Sequence, residues 1–278
     1  MAGLLQSIVE RKHAEVREAR GRRPDGLLRE ITAGLSTCRP FREALVRPGP
    51  AGVNVIAEFK RASPSRGEIH PGADPAAVAA GYASAGAAAL SVLTDRHFFQ
   101  GAAEDLRLAR ASVPLPVLRK DFIVSEYQLV EARATGADAV LLIARILSRI
   151  QLREFLARAA ELGLDTLVEV HDEAELALAA EADATLVGIN SRDLDTFRTD
   201  LAVAERLAPR MPPGMTAVAE SGIRSAADLV RLRAAGIHNF LIGETLMAAP
   251  DPGEALGRLL ADFGKLSQPP AQLVHSGP

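Results

Sequence analysis

The chain has no tryptophan and only one cysteine among its 278 residues. A single cysteine, Cys38, excludes an internal disulfide and is typical of the reducing cytoplasm, where we expect this protein to reside. No apolar run approaches the roughly 20 residues of a membrane span, and charges interrupt the first twenty positions, which argues against a secretory signal. A formal net charge of −3 without a basic cluster argues against nucleic acid or a membrane as partner.

Lysine is also scarce, because all but four of the 32 basic residues are arginine. Arginine cannot give up its proton at ordinary pH, whereas a buried lysine can have its pKa lowered and take part in proton transfer. Lys12 and Lys265 lie near the ends of the chain, where we expect both to be solvated. Lys60 and Lys120 each end an apolar run, so we expect these two to serve a chemical purpose.

Eight short apolar runs alternate with segments rich in Ala, Leu, Glu and Arg, which is the pattern of alternating strands and helices. The predicted strands are residues 53–60, 89–94, 116–121, 139–144, 165–170, 186–191, 216–221 and 239–244. Eight such units predict an α/β protein with a single (β/α)8 barrel, whose usual size of about 250 residues matches the repeat region. An open doubly wound sheet is the alternative, but no GxGxxG follows the first strand.

The regions outside the repeats are short. Residues 1–48 have a helical pattern and are predicted to form an N-terminal extension that caps one end of the barrel. The barrel itself is expected to occupy residues 49–264. Residues 265–278, which contain proline and serine, are predicted to be a disordered tail.

Polar residues stand at the carboxyl ends of five predicted strands, where the active sites of such barrels lie. Side chains alternate along a strand, so the two polar residues that end the first strand share one face. Lysines beside glutamates can be tuned toward neutrality and can exchange protons with a substrate. The predicted catalytic residues are Glu58, Lys60, Lys120, Glu169, Asn190 and Glu220.

The loops at the same end predict a substrate with a phosphate, an aromatic ring and a carboxylate. Barrels commonly bind phosphate after the seventh and eighth strands. An aryl pocket is predicted from Phe99 and Phe122, and Arg192 is a candidate partner for a carboxylate. The predicted phosphate-binding residues are Ser221, Gly222, Gly243 and Glu244. Each of these predictions has a simpler alternative. The phenylalanines could belong to a packed loop, the glycines could merely end strands, and the arginine could be solvated.

The six histidines are scattered and show no HxH or HExxH spacing, so no metal site is predicted. Isolated histidines of this kind are more often surface or loop residues. Neither a GxSxG motif nor a Cys/His pair indicates a nucleophile. The sequence therefore predicts a metal-free enzyme that acts on a small molecule with lysine and glutamate.

Several segments together resemble the indole-3-glycerol-phosphate synthase family of tryptophan biosynthesis. They are AEFKRASPSRG, LSVLTDRHFFQG, PVLRKDFIVSEYQ, LVEVHDEAEL, VGINSRDLDTF, VAESGI and FLIGETLM. The resemblance runs in order from the N-terminal helices to about residue 262. It implies a (β/α)8 barrel with a helical N-terminal segment and no cofactor. The implied reaction converts 1-(2-carboxyphenylamino)-1-deoxyribulose 5-phosphate to indole-3-glycerol phosphate with loss of carbon dioxide and water.

The resemblance also implies roles by position. Lys120 matches the general acid that protonates the carbonyl oxygen, Glu169 matches the general base, and Lys60 matches a lysine that contacts the substrate and takes part in the dehydration. The other matches are Glu58, Asn190 and Glu220 for orientation, Ser63 and Arg192 for the carboxylate, Phe99 and Phe122 for the ring, and Ser221, Gly222, Gly243 and Glu244 for the phosphate.

Three other functions fit such a barrel. One is an isomerase such as phosphoribosylanthranilate isomerase, although Cys38 lies before the barrel and the first strand ends in lysine. A second is an aldolase that forms a Schiff base, since a desolvated lysine can be a nucleophile. The third is a non-catalytic barrel that binds a phosphate ligand or a protein partner, which would be expected to have lost a charged residue at the mouth.

Overall fold

The computed structural model describes residues 3–193 and 196–267. Eight parallel strands close into a barrel in which each strand pairs with its neighbours in the chain and the last pairs with the first. The strands β1 to β8 are Asn54–Phe59, Ala89–Leu93, Val117–Lys120, Ala139–Ile143, Asp165–Val170, Leu186–Asn190, Thr216–Glu220 and Asn239–Ile242. The predicted (β/α)8 barrel and all eight predicted strands are confirmed.

Helices surround the barrel. In the described part of the chain, α1 to α13 are Leu4–Arg22, Asp25–Ala33, Glu43–Val46, Pro75–Ser84, Arg96–Phe99, Ala103–Ser112, Glu126–Thr135, Arg149–Glu161, Glu173–Glu181, Ala202–Leu207, Ala226–Ala234, Glu244–Met247 and Pro252–Leu266. Single 3-10 turns occupy Ala144–Ile146 and Ala208–Arg210, and Ala62–Ser63 pairs with Gly67–Glu68 in a small hairpin after β1. No helix in the described ranges is both long and apolar enough to cross a bilayer.

The sequence sets the ends of several helices. Ser125, Asp172 and Ser225 each accept a hydrogen bond from a backbone N–H of the first turn, so they cap α7, α9 and α11. Gly136 follows α7 with a φ of 95°, a left-handed conformation that glycine adopts at no steric cost. Helix α7 is therefore turned back within a few residues, and β4 begins beside β3.

Apolar side chains form an inner and an outer layer. The outer layer, which includes Phe59, packs between the strands and the helices. The inner layer fills the barrel with residues such as Ile56, Leu118 and Val218. Since these side chains fill the interior, the cavity described below lies at the end of the barrel where the strands terminate.

The N-terminal extension, predicted to cap one end of the barrel, contacts both ends. At the amino end of the strands, Phe41 is fully buried among the inner-layer residues. The backbone N–H groups of Arg39 and Arg42 donate to Asp138 and Asp165, each at 2.8 Å. At the opposite end, α1 lies over the mouth of the barrel, where its Ile8 lines the cavity described below.

Lys12 anchors α1 at that mouth and is buried, so the prediction that it is solvated was wrong. Its Nζ lies 2.7 Å from Asp95 Oδ2, 3.0 Å from Asp121 Oδ1 and 2.8 Å from Glu15 Oε2. Burial opposes the ammonium charge, but the charges of Asp121 and Asp95 outweigh it and raise the pKa of Lys12. Lys265, by contrast, is exposed as predicted.

The C-terminal segment differs slightly from its predicted bounds. Helix α13 continues through Lys265 to Leu266, so these two residues are helical rather than part of a tail. Residues 268–278, which make up the rest of the predicted tail, lie outside the described residues.

Candidate active site

A cavity of about 160 Å³ opens at the carboxyl ends of the barrel strands. All fourteen predicted site residues line it. They are Glu58, Lys60, Ser63, Phe99, Lys120, Phe122, Glu169, Asn190, Arg192, Glu220, Ser221, Gly222, Gly243 and Glu244. The barrel geometry thus brings together residues that are up to 186 positions apart, from Glu58 to Glu244.

Two lysines and three glutamates form the charged part of the site. Lys60 Nζ lies 2.8 Å from Glu58 Oε1. Lys120 Nζ lies 3.3 Å from Glu169 Oε2 and also contacts Glu220 Oε2. All three carboxylates are almost completely buried, so each depends on these ion pairs for its charge.

Lys120 is held as a cation. Burial opposes its charge, but the neighbouring Glu220, Glu169 and Glu58 carboxylates outweigh burial and raise the pKa of Lys120. The prediction that this lysine is tuned toward neutrality was therefore wrong. The physical reason is that three buried carboxylates face one ammonium, and they favour its charged form.

The three carboxylates have different pKa values because they have different neighbours. Burial opposes the charge of Glu169, but Lys120, His171 and a hydrogen bond from Asn190 lower its pKa. Lys60 and Lys120 likewise lower the pKa of Glu58 against burial. At Glu220 burial dominates, and with the repulsion from Glu169 it raises the pKa to about 7. Since three carboxylates share two ammonium groups, Glu220 is the one that holds a proton most readily.

Two glycines make room for these glutamates. A Cβ atom at Gly188 would lie 2.0 Å from Glu220 Oε1, and one at Gly243 would lie 2.3 Å from Glu58 Oε1. Gly188 belongs to β6, beside β7, and Gly243 directly follows β8, beside β1. In both cases the missing side chain lets a carboxylate of the neighbouring strand lie across the backbone. Gly188 was not recognised from the sequence, where it resembles any glycine in a strand.

One wall of the cavity is apolar. The Phe99 and Phe122 rings lie 6.1 Å apart between centroids and are inclined at 37°. Leu4, Leu5 and Ile8 of α1 complete this wall. These three residues were missed in the sequence, because the pattern of an amphipathic helix does not show what its apolar face will cover.

Arg192 joins the two sides of the mouth. Its guanidinium donates to Glu244 Oε2 at 2.8 Å and also to Ser65 Oγ in the loop after β1. Glu244 additionally pairs with Arg66 at 3.1 Å. Its carboxylate is thus directed at the arginines, and the contribution of Glu244 to anion binding would be made by its backbone.

The turn after β7 has an unusual backbone. Ser221 and Gly222 both adopt left-handed conformations, with φ of 64° and 81°. Such a conformation is uncommon for serine and persists where the surroundings enforce it, often at a functional site. The turn is packed closely, since a Cβ atom at Gly222 would lie 2.5 Å from Thr199 Cγ2.

Comparison with known proteins identifies the chain. The sequence profile described as "Indole-3-glycerol phosphate synthase" matches residues 5–259. The chain is 51% identical over 263 residues to indole-3-glycerol phosphate synthase of Syntrophobacter fumaroxidans, which covers 95% of this chain and 99% of the relative. The chain belongs to the indole-3-glycerol phosphate synthase family.

Further comparisons agree with this assignment. The synthase of Chlorobium phaeovibrioides is 47% identical over 247 residues, 89% of this chain and 95% of the relative. Among solved structures, a thiamine phosphate pyrophosphorylase from Pyrococcus furiosus is similar with a TM-score of 0.57 at 16% identity, covering 78% of this chain and 98% of that one. That distant likeness shows the barrel fold alone.

Membership of the indole-3-glycerol phosphate synthase family makes this chain a decarboxylating lyase of tryptophan biosynthesis. The isomerase and aldolase functions considered from the sequence are therefore excluded. The charges at the mouth also argue against the aldolase, because a nucleophilic lysine must be neutral and Lys120 is held as a cation.

Proposed function

We propose that this synthase converts 1-(2-carboxyphenylamino)-1-deoxyribulose 5-phosphate to indole-3-glycerol phosphate with Lys120 as general acid in the ring closure and Glu169 as general base in the later dehydration. The observation that carries the assignment is the position of Lys120. It lies in contact with Glu169 and Glu220, inside a cavity that has Phe99 and Phe122 on its apolar wall. An acid, a base and a surface for the aryl ring are thus available within one enclosed space.

Ring closure requires a proton for the carbonyl oxygen. As the aryl carbon attacks the carbonyl, the oxygen develops the charge of an alkoxide, which is a stronger base than an amine. A lysine with a raised pKa is therefore still able to donate its proton to that oxygen. Before the transfer, the Lys120 ammonium, whose side chain is 14% exposed, stabilises the developing negative charge.

The later steps need no cofactor. The ring-closed intermediate carries an iminium group that accepts the electron pair released as carbon dioxide leaves. Dehydration then requires an acid for the departing hydroxide and a base for a ring proton. Lys60, which Glu58 holds at 2.8 Å, is proposed as the acid, and Glu169 as the base. Formation of the aromatic indole drives this last step.

Binding of the substrate uses the remaining walls of the cavity. Phe99 and Phe122 are proposed to contact the aryl ring, and the turn Ser221–Gly222 with the backbone at Gly243 is proposed to hold the phosphate. Arg192 is proposed to bind the substrate carboxylate together with Ser63. Arg192 already pairs with the Glu244 carboxylate, so binding would exchange one carboxylate partner for another at little electrostatic cost.

The absence of tryptophan provides a direct assay, because the protein gives no indole fluorescence of its own. We expect indole fluorescence to rise when the wild-type protein is mixed with the substrate. Lys120→Arg keeps the charge but cannot donate the proton, so it should lose most of kcat. Glu169→Gln should bind substrate normally and slow the chemical step about 100-fold or more.

Each assignment can fail separately. Near-normal kcat in Lys120→Arg would show that Lys120 is not the acid. A raised KM with unchanged kcat in Glu169→Gln would show that Glu169 only binds the substrate. Binding by calorimetry without any fluorescence in the wild type would indicate a non-catalytic barrel.

A further inference from the structure

A buried histidine stands behind the proposed base. His171 follows β5 directly and lies two residues beyond Glu169. Its side chain is only 5% exposed, and it is absent from the cavity lining formed by the described residues. The isolated histidines were predicted to be surface or loop residues, and His171 is a loop residue, although a buried one. Because it does not reach the cavity, any influence on the substrate must pass through Glu169.

Both ring nitrogens of His171 face carboxylates. Nε2 lies 3.5 Å from Glu169 Oε1, and Nδ1 lies 3.0 Å from Glu175 Oε2. Nε2 is buried and makes no hydrogen bond to any described residue, so its contact with Glu169 is one of charge. A neutral imidazole has one donor and one acceptor nitrogen, and its acceptor would face a carboxylate oxygen. Only the imidazolium offers an N–H group to both sides.

The surrounding charges favour that cation. Glu175 Oε2 also accepts the backbone N–H of His171 at 2.8 Å, and Glu175 Oε1 accepts from Arg145 Nε at 2.5 Å. Four groups of alternating charge, Glu169, His171, Glu175 and Arg145, therefore run from the cavity to a side chain that is 28% exposed. Burial opposes the imidazolium charge, but Glu175 and Glu169 outweigh it and raise the pKa of His171.

We propose that His171 is a positioning residue that, as an imidazolium held by Glu175, fixes the orientation of the Glu169 carboxylate. Lys120 pairs with Oε2 of Glu169 while His171 faces Oε1, so the two cations fix the plane of the carboxylate from opposite sides. Loss of the His171 charge removes the attraction at Oε1, and where Nδ1 keeps its proton toward Glu175 the Nε2 lone pair repels Oε1. The carboxylate then loses the orientation that its role as base requires. This inference rests on the proposed role of Glu169.

The expected pH dependence follows from the groups around the ring. They are Glu169 on β5, Glu175 on α9 and Arg145 after β4, with Lys120 and Glu220 beyond Glu169. As the pH rises through the pKa of His171, the imidazolium is lost and kcat should fall. Glu220 contributes a separate titration, because its carboxyl does not contact His171.

The first test is His171→Gln, a neutral replacement, with His13→Gln on the exposed face of α1 as the matched control. We expect kcat to fall about 10- to 100-fold, the cost of a misplaced catalytic group. KM should change less than about twofold, because His171 does not touch the substrate. The fall of kcat at high pH that we assign to His171 should disappear. His13→Gln should match the wild type. Unchanged kcat in His171→Gln would overturn the proposal.

The second test leaves the histidine in place, so it holds even if His171→Gln does not fold. In Glu175→Gln, we expect the pKa of His171, followed by NMR of its ring proton, to fall. The alkaline fall of kcat should move to lower pH by the same amount. A shift of the NMR titration without a shift of the kinetic profile would refute the proposal.

Glu169→Gln tests the role of Glu169 as base separately from the positioning role of His171. If it keeps full kcat, Glu169 is not the base and the proposed function fails. If it loses kcat while His171→Gln does not, only the positioning role fails. In either case a lowered pKa of His171 in Glu169→Gln would measure the contact between the two side chains independently of activity.

Discussion

Lys12 offers the sharpest test of how the N-terminal helix is held on the barrel. Lys12→Met removes the ammonium and keeps most of the volume of the side chain. It leaves Asp95 and Asp121, which are 1% and 2% exposed, without their shared cation. Removing one partner of a buried ion pair leaves an uncompensated charge and costs about 3–5 kcal/mol.

The contacts that remain place the expected loss at the lower end of that range. Asp121 keeps Arg119 at 3.0 Å and the Thr94 hydroxyl at 2.6 Å. Among the described residues the Asp95 carboxylate keeps the backbone N–H of Phe98 alone, at 2.7 Å, so it is the carboxylate most affected. We therefore expect Lys12→Met to lower the free energy of unfolding by about 3 kcal/mol at neutral pH. Asp95 and Asp121 adjoin the segments that carry Phe99 and Phe122, so KM should rise as well.

Urea unfolding with a double-mutant cycle measures this contribution. Asp95→Asn in the Lys12→Met background removes the stranded charge, so it should restore part of the lost stability, with a coupling of about 1–3 kcal/mol. Lys265→Met is the matched control, since Lys265 is exposed and its loss should not be measurable. The reasoning would be refuted by a loss below about 1 kcal/mol in Lys12→Met, or by Asp95→Asn adding to the loss instead of reversing it.

Three further predictions concern other parts of the barrel. The folded protein binds a proton at Glu220 more tightly than the unfolded chain, so the stability that this group contributes is present below about pH 4.5 and is lost as the pH rises through about 7. Between pH 5 and 7.5 the free energy of unfolding from urea titrations should therefore fall less in Glu220→Gln than in the wild type, and the difference should reach up to about 3 kcal/mol. Gly243→Ala places a Cβ 2.3 Å from Glu58 Oε1 and displaces it from Lys60, so kcat in the indole fluorescence assay should fall while the fold, checked by circular dichroism, is retained. Phe41→Ala leaves a cavity at the amino end of the barrel strands, so it should lower the free energy of unfolding in urea by about 3–5 kcal/mol and leave kcat unchanged. A large change in kcat would show that the two ends of the barrel are coupled.

The sequence predicted the barrel and the lining of its cavity because both depend on local patterns. A polar residue at the end of an apolar run, such as Lys120 or Glu220, stands out from its neighbours, and parallel strands bring such positions to one mouth. Lys12 and His171 gave no such signal. The partners that bury Lys12 lie 83 and 109 positions away, and no local pattern distinguishes a lysine that meets two carboxylates from one that meets water. His171 was set aside for lack of a second histidine at metal spacing, although the strand directly before it carries Glu169, the carboxylate it faces.

The attachment of the N-terminal extension to both ends of the barrel has a consequence for synthesis on the ribosome. Residues 39 and 42 emerge early, but the aspartates that accept their backbone hydrogen bonds are 99 and 123 residues further along the chain. At about 5–20 residues per second, the first segment waits for several seconds before its sites exist. The part of the protein that is made first therefore cannot complete these contacts until the first four strands of the barrel and the start of the fifth have been synthesised.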